Sequence, residues 1–181
     1  RDRSVLDAML RDASESGVYV SAHPDVILKM GTKEVLVRTR GTGWGSDSYA
    51  LQSAQAALDE LPARLRKGPR VLKQNRGSGG NGVWKVELAG DATVAAQLPV
   101  GVHHAARGSR AEHTTLGAFV ARCAEYFAAF SGSGILIDQP YLPRVAQGMT
   151  RAYMAGDRVA GFGHQFVTAL APLPPEAEET P

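Results

Sequence analysis

No part of the chain limits its folding more than residues 71–86, where two stretches of strand-like alternation flank a loop with glycine at positions 77, 79, 80 and 82. Strands this close in sequence pair as an antiparallel hairpin. The glycines let backbone N–H groups approach an anion with no Cβ in the way, and Lys73 and Arg76 put cations at the loop's entry. The expected structure is a hairpin folded over phosphates, with Lys73, Arg76, Gly77, Ser78, Gly79, Gly80, Asn81 and Gly82 as its binding residues. The spacing of Gly77, Gly79 and Gly82 also fits the dinucleotide fingerprint. That fingerprint needs a helix after the loop, and Val83 to Leu88 reads as a strand. A P-loop is excluded because no glycine precedes Lys-Ser or Lys-Thr. A protein-kinase loop places its lysine after the glycines, whereas Lys73 precedes them, and the His-Arg-Asp and Asp-Phe-Gly motifs are missing.

The rest of the composition narrows the setting. With 181 residues the chain is long enough for one domain or for two small lobes sharing a cleft. Twenty basic against 18 acidic side chains give a net charge of +2, too balanced for a nucleic-acid-binding surface. Cys123 is the one cysteine, so no disulfide framework or thiolate metal cluster is expected, and a reducing, cytoplasmic setting fits best. No stretch has the length of a membrane span. The chain starts at Arg1 and ends in a Pro/Glu-rich run from Pro172 to Pro181, read as a disordered tail; this predicts a fragment of a longer parent.

Periodicity predicts a helix over residues 4–15, a short buried strand at 17–21, helical turns from 24 to about 40, and a break at the glycines around Trp44. Ser46, Asp47 and Ser48 are expected to cap a helix running to about Arg66, with Pro62 as a kink. Strands are expected at 70–75, 83–88, 93–98 and 101–105, then one helix over 114–130 and strands at 134–139, 149–155 and 158–164. Gly156 and Asp157 form the last hairpin turn, and Ser131 to Gly134 reads as a linker. His103, His104 and His113 do not form a metal set, because adjacent strand residues point to opposite faces and no acidic or cysteine partners stand at ligand spacing. His164 reads first as a histidine satisfied within its sheet and second as a cleft residue, whereas nothing decides between a flap and a packed anchor for Trp44.

With the hairpin in place the chain resembles the ATP-grasp superfamily over roughly residues 18–170, and more closely an uncharacterised bacterial ATP-grasp-like family. Three blocks carry the resemblance: Val71-Leu72-Lys73 before the glycine loop, Ile135 to Pro143, and Gly148 to Gly161. The resemblance implies an α+β fold of small antiparallel sheets with flanking helices, forming two lobes around a nucleotide cleft. Residues 1–68 would then be an N-terminal helical region with a short strand, 69–133 the glycine-hairpin lobe, 134–171 the hinge and a partial second lobe, and 172–181 the tail. It further implies that Lys73 and the loop hold the ATP phosphates, that adenine pairs with backbone around Gln139, Tyr141 and Leu142, and that Arg151 faces the γ-phosphate or an acyl-phosphate as the catalytic residue. The activity it implies is ligation of an unknown carboxylate to an amine or thiol through an acyl-phosphate; the alternative is a non-catalytic nucleotide-binding or assembly module. The chain departs from the superfamily in having Met149 and Pro140 where acidic residues are common, and in containing no Glu-x-Asn pair. Magnesium is therefore expected only with a missing C-terminal segment, and the fragment alone is expected to be inactive and prone to self-association through open strand edges.

Overall fold

The computed structural model describes residues 3–21, 23–106, 108–132, 134–166 and 170. The chain is α+β. Three helices come first: α1 (Ser4–Glu15), α2 (Pro24–Met30) and α3 (Val35–Arg38). After strand β1 (Tyr49–Leu51) comes α4 (Ala54–Leu65), followed by β2 (Arg70–Gln74) and β3 (Val83–Leu88), which enclose the glycine loop. Strands β4 (Pro99–His104) and β5 (Glu112–Thr115) lead into α5 (Leu116–Arg122) and α6 (Ala124–Gly132). The chain then forms β6 (Leu136–Pro140), β7 (Met149–Ala155) and β8 (Arg158–Gln165).

Six strands make one antiparallel sheet in the order β1-β6-β2-β3-β4-β5, and β7 pairs with β8 alone. Because strand side chains alternate, each register pair assigns its residues to one face of the sheet. Leu51, Leu72, Val86, Val100, Val102 and Leu136 share the covered face, where they pack against Ala57, Leu61 and Leu65 of α4 and Leu116, Phe119 and Val120 of α5. At one end of this face Asp138, fully buried, accepts from Arg70 Nε at 2.6 Å and from Arg64 at 3.1 Å. Arg70 also donates to the Asp47 carbonyl at 3.0 Å, and the Arg64 guanidinium lies 3.8 Å from the Tyr49 ring centroid. Two cations around one carboxylate thus tie α4, β2, β6 and the segment before β1 together. Burial pushes the Asp138 carboxyl above its ordinary value, and the hydrogen bond and charge of Arg70, then Arg64, pull it back without reversing the direction. Lys73, Lys85, His103 and Gln139 stand on the other face, across from the helices.

Several sequence expectations are corrected. Residues 17–21 form no strand, and Val18 and Tyr19 are exposed: the chain closes back on the end of α1, with the Gly17 N–H donating to the Ser14 carbonyl and the Val18 N–H to the Ala13 carbonyl, each at 3.0 Å. Ser53 rather than Ser46–Ser48 caps α4, accepting from the Ala56 N–H at 3.1 Å, since residues 49–51 are drawn into the sheet beside β6. Pro62 sits inside α4 without ending it. Residues 95–97 form a 3-10 turn instead of a strand, β5 was not anticipated, and the single helix over 114–130 is two helices parted at Cys123. Helix α6 takes in Ser131 and Gly132 of the expected linker, whose Ser133 lies outside the described residues. The large sheet crosses the expected boundaries at residues 68 and 133: β1 and β6 both belong to it, with β6 hydrogen-bonded between β1 and β2. The expected tail at 172–181 lies outside the described residues. Among the described residues no helix is long and apolar enough to cross a membrane.

Candidate functional site

The glycine loop folds back onto its own stem. Gln74 is the stop: its amide N–H donates to the Gly82 carbonyl at 2.8 Å and its Nε2 to the Asn81 carbonyl at 2.9 Å, while the Asn81 N–H donates to the Ser78 carbonyl at 3.2 Å. Gly82, at φ +63°, has no room for a side chain, because a Cβ would lie 2.5 Å from the Gln74 amide carbon. Gly80, at φ +81°, presses on β4, where a Cβ would meet the Ala105 carbonyl at 2.7 Å. His104 holds the loop's far end: its Nε2 accepts from the Gly82 N–H at 3.2 Å, and its ring stacks 4.3 Å from Trp84. Trp84 in turn meets Phe119 of the core edge-on at 5.5 Å, so the loop is joined to the packed face through one aromatic stack. Burial, then the neighbouring His103, pulls the His104 pKa down, consistent with an unprotonated Nε2 that accepts.

Lys73 points to the open face beside this loop. Its Nζ donates to Gln139 Oε1 on the neighbouring strand at 2.5 Å, and Gln139 Nε2 donates to Ser46 Oγ at 2.8 Å and Ser48 Oγ at 3.1 Å. The two hydroxyls fix which way the amide points, since an ammonium has only donors and demands the carbonyl side. A second lysine joins from the segment before α3. Lys33 Nζ donates to the Gly77 carbonyl at 3.1 Å, the Lys33 N–H to the Asn75 carbonyl at 3.1 Å, and the Glu34 N–H to Asn75 Oδ1 at 3.0 Å. Asn75, at the loop's entry, therefore clamps the turn carrying Lys33 against the loop. Burial lowers the pKa of Lys73 and Lys33's charge lowers it further; burial lowers that of Lys33 as well. Neither ammonium has a carboxylate partner among the described residues. The pair is thus a partly desolvated, uncompensated positive charge at the mouth of a loop rich in backbone N–H groups.

The other expected site residues are placed as follows. Arg76 and Gly77 line a cleft with α2 and α3, and Ser78 to Gly82 form the loop's tip and return. The Tyr141 N–H is already used on the Pro69 carbonyl at 2.9 Å. Its ring lies 4.9 Å from Lys85 Nζ, near Val71, Val83 and Ala105, and its hydroxyl donates to the Leu170 carbonyl. Leu142 is exposed and starts a 3-10 turn that its carbonyl closes with the Val145 N–H. Arg151, exposed on β7, donates to Gln165 across its own hairpin. So the fold gathers Lys73, the loop and Gln139, while Arg151 bonds within its own hairpin.

Sequence reading missed Lys33, Asn75, Ser46, Ser48 and His104 as site residues. Ser46 and Ser48 carry the local pattern of helix caps. Lys33 carries no local signal, since only folding brings it across 44 positions to Gly77. The His104 bond to Gly82 follows from pairing of β3 with β4, a register that no residue type announces. Comparison of the chain with protein-family models, with curated proteins and with solved structures gives no match.

Proposed function

We propose that the protein binds ATP in an ATP-grasp-type clasp, and that it serves an ATP-dependent ligase that joins a carboxylate to an amine or thiol through an acyl-phosphate. The observation that carries the nucleotide reading is the meeting of Lys33 and Lys73 at the glycine loop with no acidic partner on either. Two like charges held together and partly buried destabilise each other, and a polyphosphate relieves both at once. Backbone N–H groups of the loop add donors that need no side chain to be ordered. The Tyr141 ring packs with Val71, Val83, Ala105 and Leu170 into an apolar cluster beside the hinge residues Gln139 and Leu142, and a base stacking there would take the place of Leu170. In this reading Arg151 comes to the transferring phosphoryl from the β7–β8 hairpin, and the loop keeps water from the reactive intermediate.

When bound, ATP supplies the phosphoryl group that activates the carboxylate. Magnesium does not fit the residues present: no group of three His, Cys, Asp or Glu among the described residues stands where a metal ion is held, and no step is drawn through it. That observation favours a second reading, a non-catalytic module that keeps the clasp for nucleotide sensing or assembly.

Calorimetry with ADP and ATP tests both. Nucleotide binding is expected, and Lys73→Ala and Lys33→Ala should each weaken it by about 1.5–3 kcal/mol through loss of a hydrogen bond to a charged partner. Affinity unchanged by either substitution removes the phosphate site. Turnover of bound ATP with a carboxylate and an amine present decides between the ligase and the module.

A further inference from the structure

We infer that Leu170 is an internal plug on the base subsite, so that the chain keeps its own nucleotide site closed until a ligand displaces one leucine; the inference rests on the nucleotide reading above and adds its regulation. Leu170 is not part of the main core. The helices cover one face of the six-stranded sheet, and Leu170 sits on the other, in a small separate cluster with Val71 and Ala105, against which Val83 and Tyr141 pack. It is as buried as its neighbours, 9% exposed against 8% for each of Val71 and Ala105. Val71 and Lys73 stand two residues apart on β2, on the same face and about 7 Å from one another along the strand. A planar base laid on the Tyr141 ring over Val71 would therefore be in line with the ammonium that takes the phosphates. That is the space Leu170 fills.

The forces on this leucine oppose one another. The Tyr141 hydroxyl donates to the Leu170 carbonyl at 2.9 Å, so the residue whose ring would carry the base also holds the plug by its backbone. Against this stands the backbone conformation. Leu170 has φ +63°, and among the described residues it is the one non-glycine residue in the left-handed region, where a Cβ crowds its own main chain. Release relaxes that conformation and offsets part of the apolar contact given up. A base filling the same area keeps Val71, Val83 and Ala105 out of water, so the shelf is covered before and after the exchange. A plugged site binds with an affinity reduced by the fraction of time it is open. Weakening the plug should then raise affinity without any change in the groups that touch the ligand.

Adenosine, which has no phosphate, probes the shelf, and ADP probes the whole site; both are titrated by calorimetry into the whole chain and its variants. Leu170→Ala should bind adenosine about 5- to 20-fold more tightly than the unaltered chain. Tyr141→Phe keeps the ring and removes the hydroxyl's bond to the plug, and should tighten adenosine about 3- to 10-fold. A leucine that only packs the fold predicts the opposite sign, because both substitutions would then loosen the shelf. Absent, unchanged or weaker adenosine binding in either folded variant overturns the plug, and if Leu170→Ala does not fold, Tyr141→Phe carries the test alone. Failure of the nucleotide reading looks different: ADP would bind no more tightly than adenosine, and Lys73→Met would alter neither. ADP binding that Lys73→Met weakens and Leu170→Ala leaves unchanged would keep the phosphate site and overturn the plug.

Discussion

The six-stranded sheet and the β7–β8 hairpin are both antiparallel and both turn through glycine, yet they differ in what lies against them. One face of the sheet is sealed by α4 and α5, and Leu51, Leu72, Val86 and Phe119 have no exposure at all. Every residue of β7 is exposed, and on β8 Phe162 keeps 73% of its surface. A two-stranded ribbon with neither face covered is marginal in water. Its register comes from the turn at Gly156, at φ +61°, and from pairs such as Tyr153 laid over Gly163. Turn chemistry is thus enough to choose a hairpin and too little to anchor one. Lys73 is held in place by a packed sheet, whereas Arg151 rides on a ribbon that packing does not position.

The largest expected effects separate the two regions by stability. Phe119→Ala opens a cavity where α5 meets the sheet and should cost about 3–5 kcal/mol. Asp138→Ala takes the buried carboxylate from Arg70, which is only 4% exposed and is left with the exposed Asp47 carboxylate at 3.5 Å, and should cost about 3–5 kcal/mol. Tyr153→Ala and Phe162→Ala on the ribbon should stay within about 0.5 kcal/mol. Urea unfolding of the four variants measures all of this. A ribbon substitution as costly as Phe119→Ala would break the comparison, because it would mean that something covers β7 and β8 in solution.

A middle-sized effect sharpens it. The Lys73 pKa lies below the ordinary lysine value of 10.5, first through burial and then through Lys33. A lysine lowered in this way binds its proton less readily folded than unfolded, so the unfolded chain carries more protons between the lowered value and 10.5. Stability should therefore rise with pH across that window, with the cost fully present below the lowered value. Lys73→Met is then expected to stabilise the protein at pH 7 by about 0.5–2 kcal/mol, while weakening nucleotide binding by about 1.5–3 kcal/mol. Arg151→Met, on the exposed ribbon, should change stability by less than about 0.5 kcal/mol. Thermal unfolding with and without ADP reads both, and a destabilised Lys73→Met would show that the ammonium has a compensating partner.

How much of this was legible in the sequence depends on whether the determinant was local. Strands β2 and β3, the loop between them and the β7–β8 turn were readable because alternation and glycine spacing are local signals. Strand β1 was not, since its three residues are a strand only because β6 lies beside them. The split of the 114–130 helix at Cys123 escaped periodicity for a related reason: both halves carry apolar residues, and packing against α4 and the sheet decides where the axis breaks. At the site, Lys73 and Gln139 stood out from their place beside recognisable blocks, but the contact between them is set by the register of β2 on β6. Lys33 and the Ser46–Ser48 pair show the limit most clearly, because each reaches the site from a loop whose own pattern reads only as punctuation.

The smallest effect concerns the loop itself. His104 Nε2 can accept from the Gly82 N–H only while that nitrogen is unprotonated, and the surroundings favour that state: burial first and His103 second hold the pKa below 6.5. The unfolded chain therefore binds the proton more readily, and stability should fall as pH drops through 6.5, levelling off below the lowered value. Trp84, stacked on the imidazole, offers a π face to the charged form, and Glu125 and Tyr126 line the same cavity of about 390 Å³, so the loss should be modest. Amide exchange resolves it where global unfolding does not. On going from about pH 7.5 to 5, the Gly82 amide should lose protection beyond the intrinsic change in exchange rate, while the β7–β8 amides, whose protection reflects opening of the bare ribbon, serve as the internal reference. In His104→Gln the amide oxygen can accept from Gly82 without titrating, so the pH dependence should flatten. If Gly82 protection follows the ribbon at every pH, the loop is not tied to the packed sheet through His104, and the two hairpins are held no differently after all.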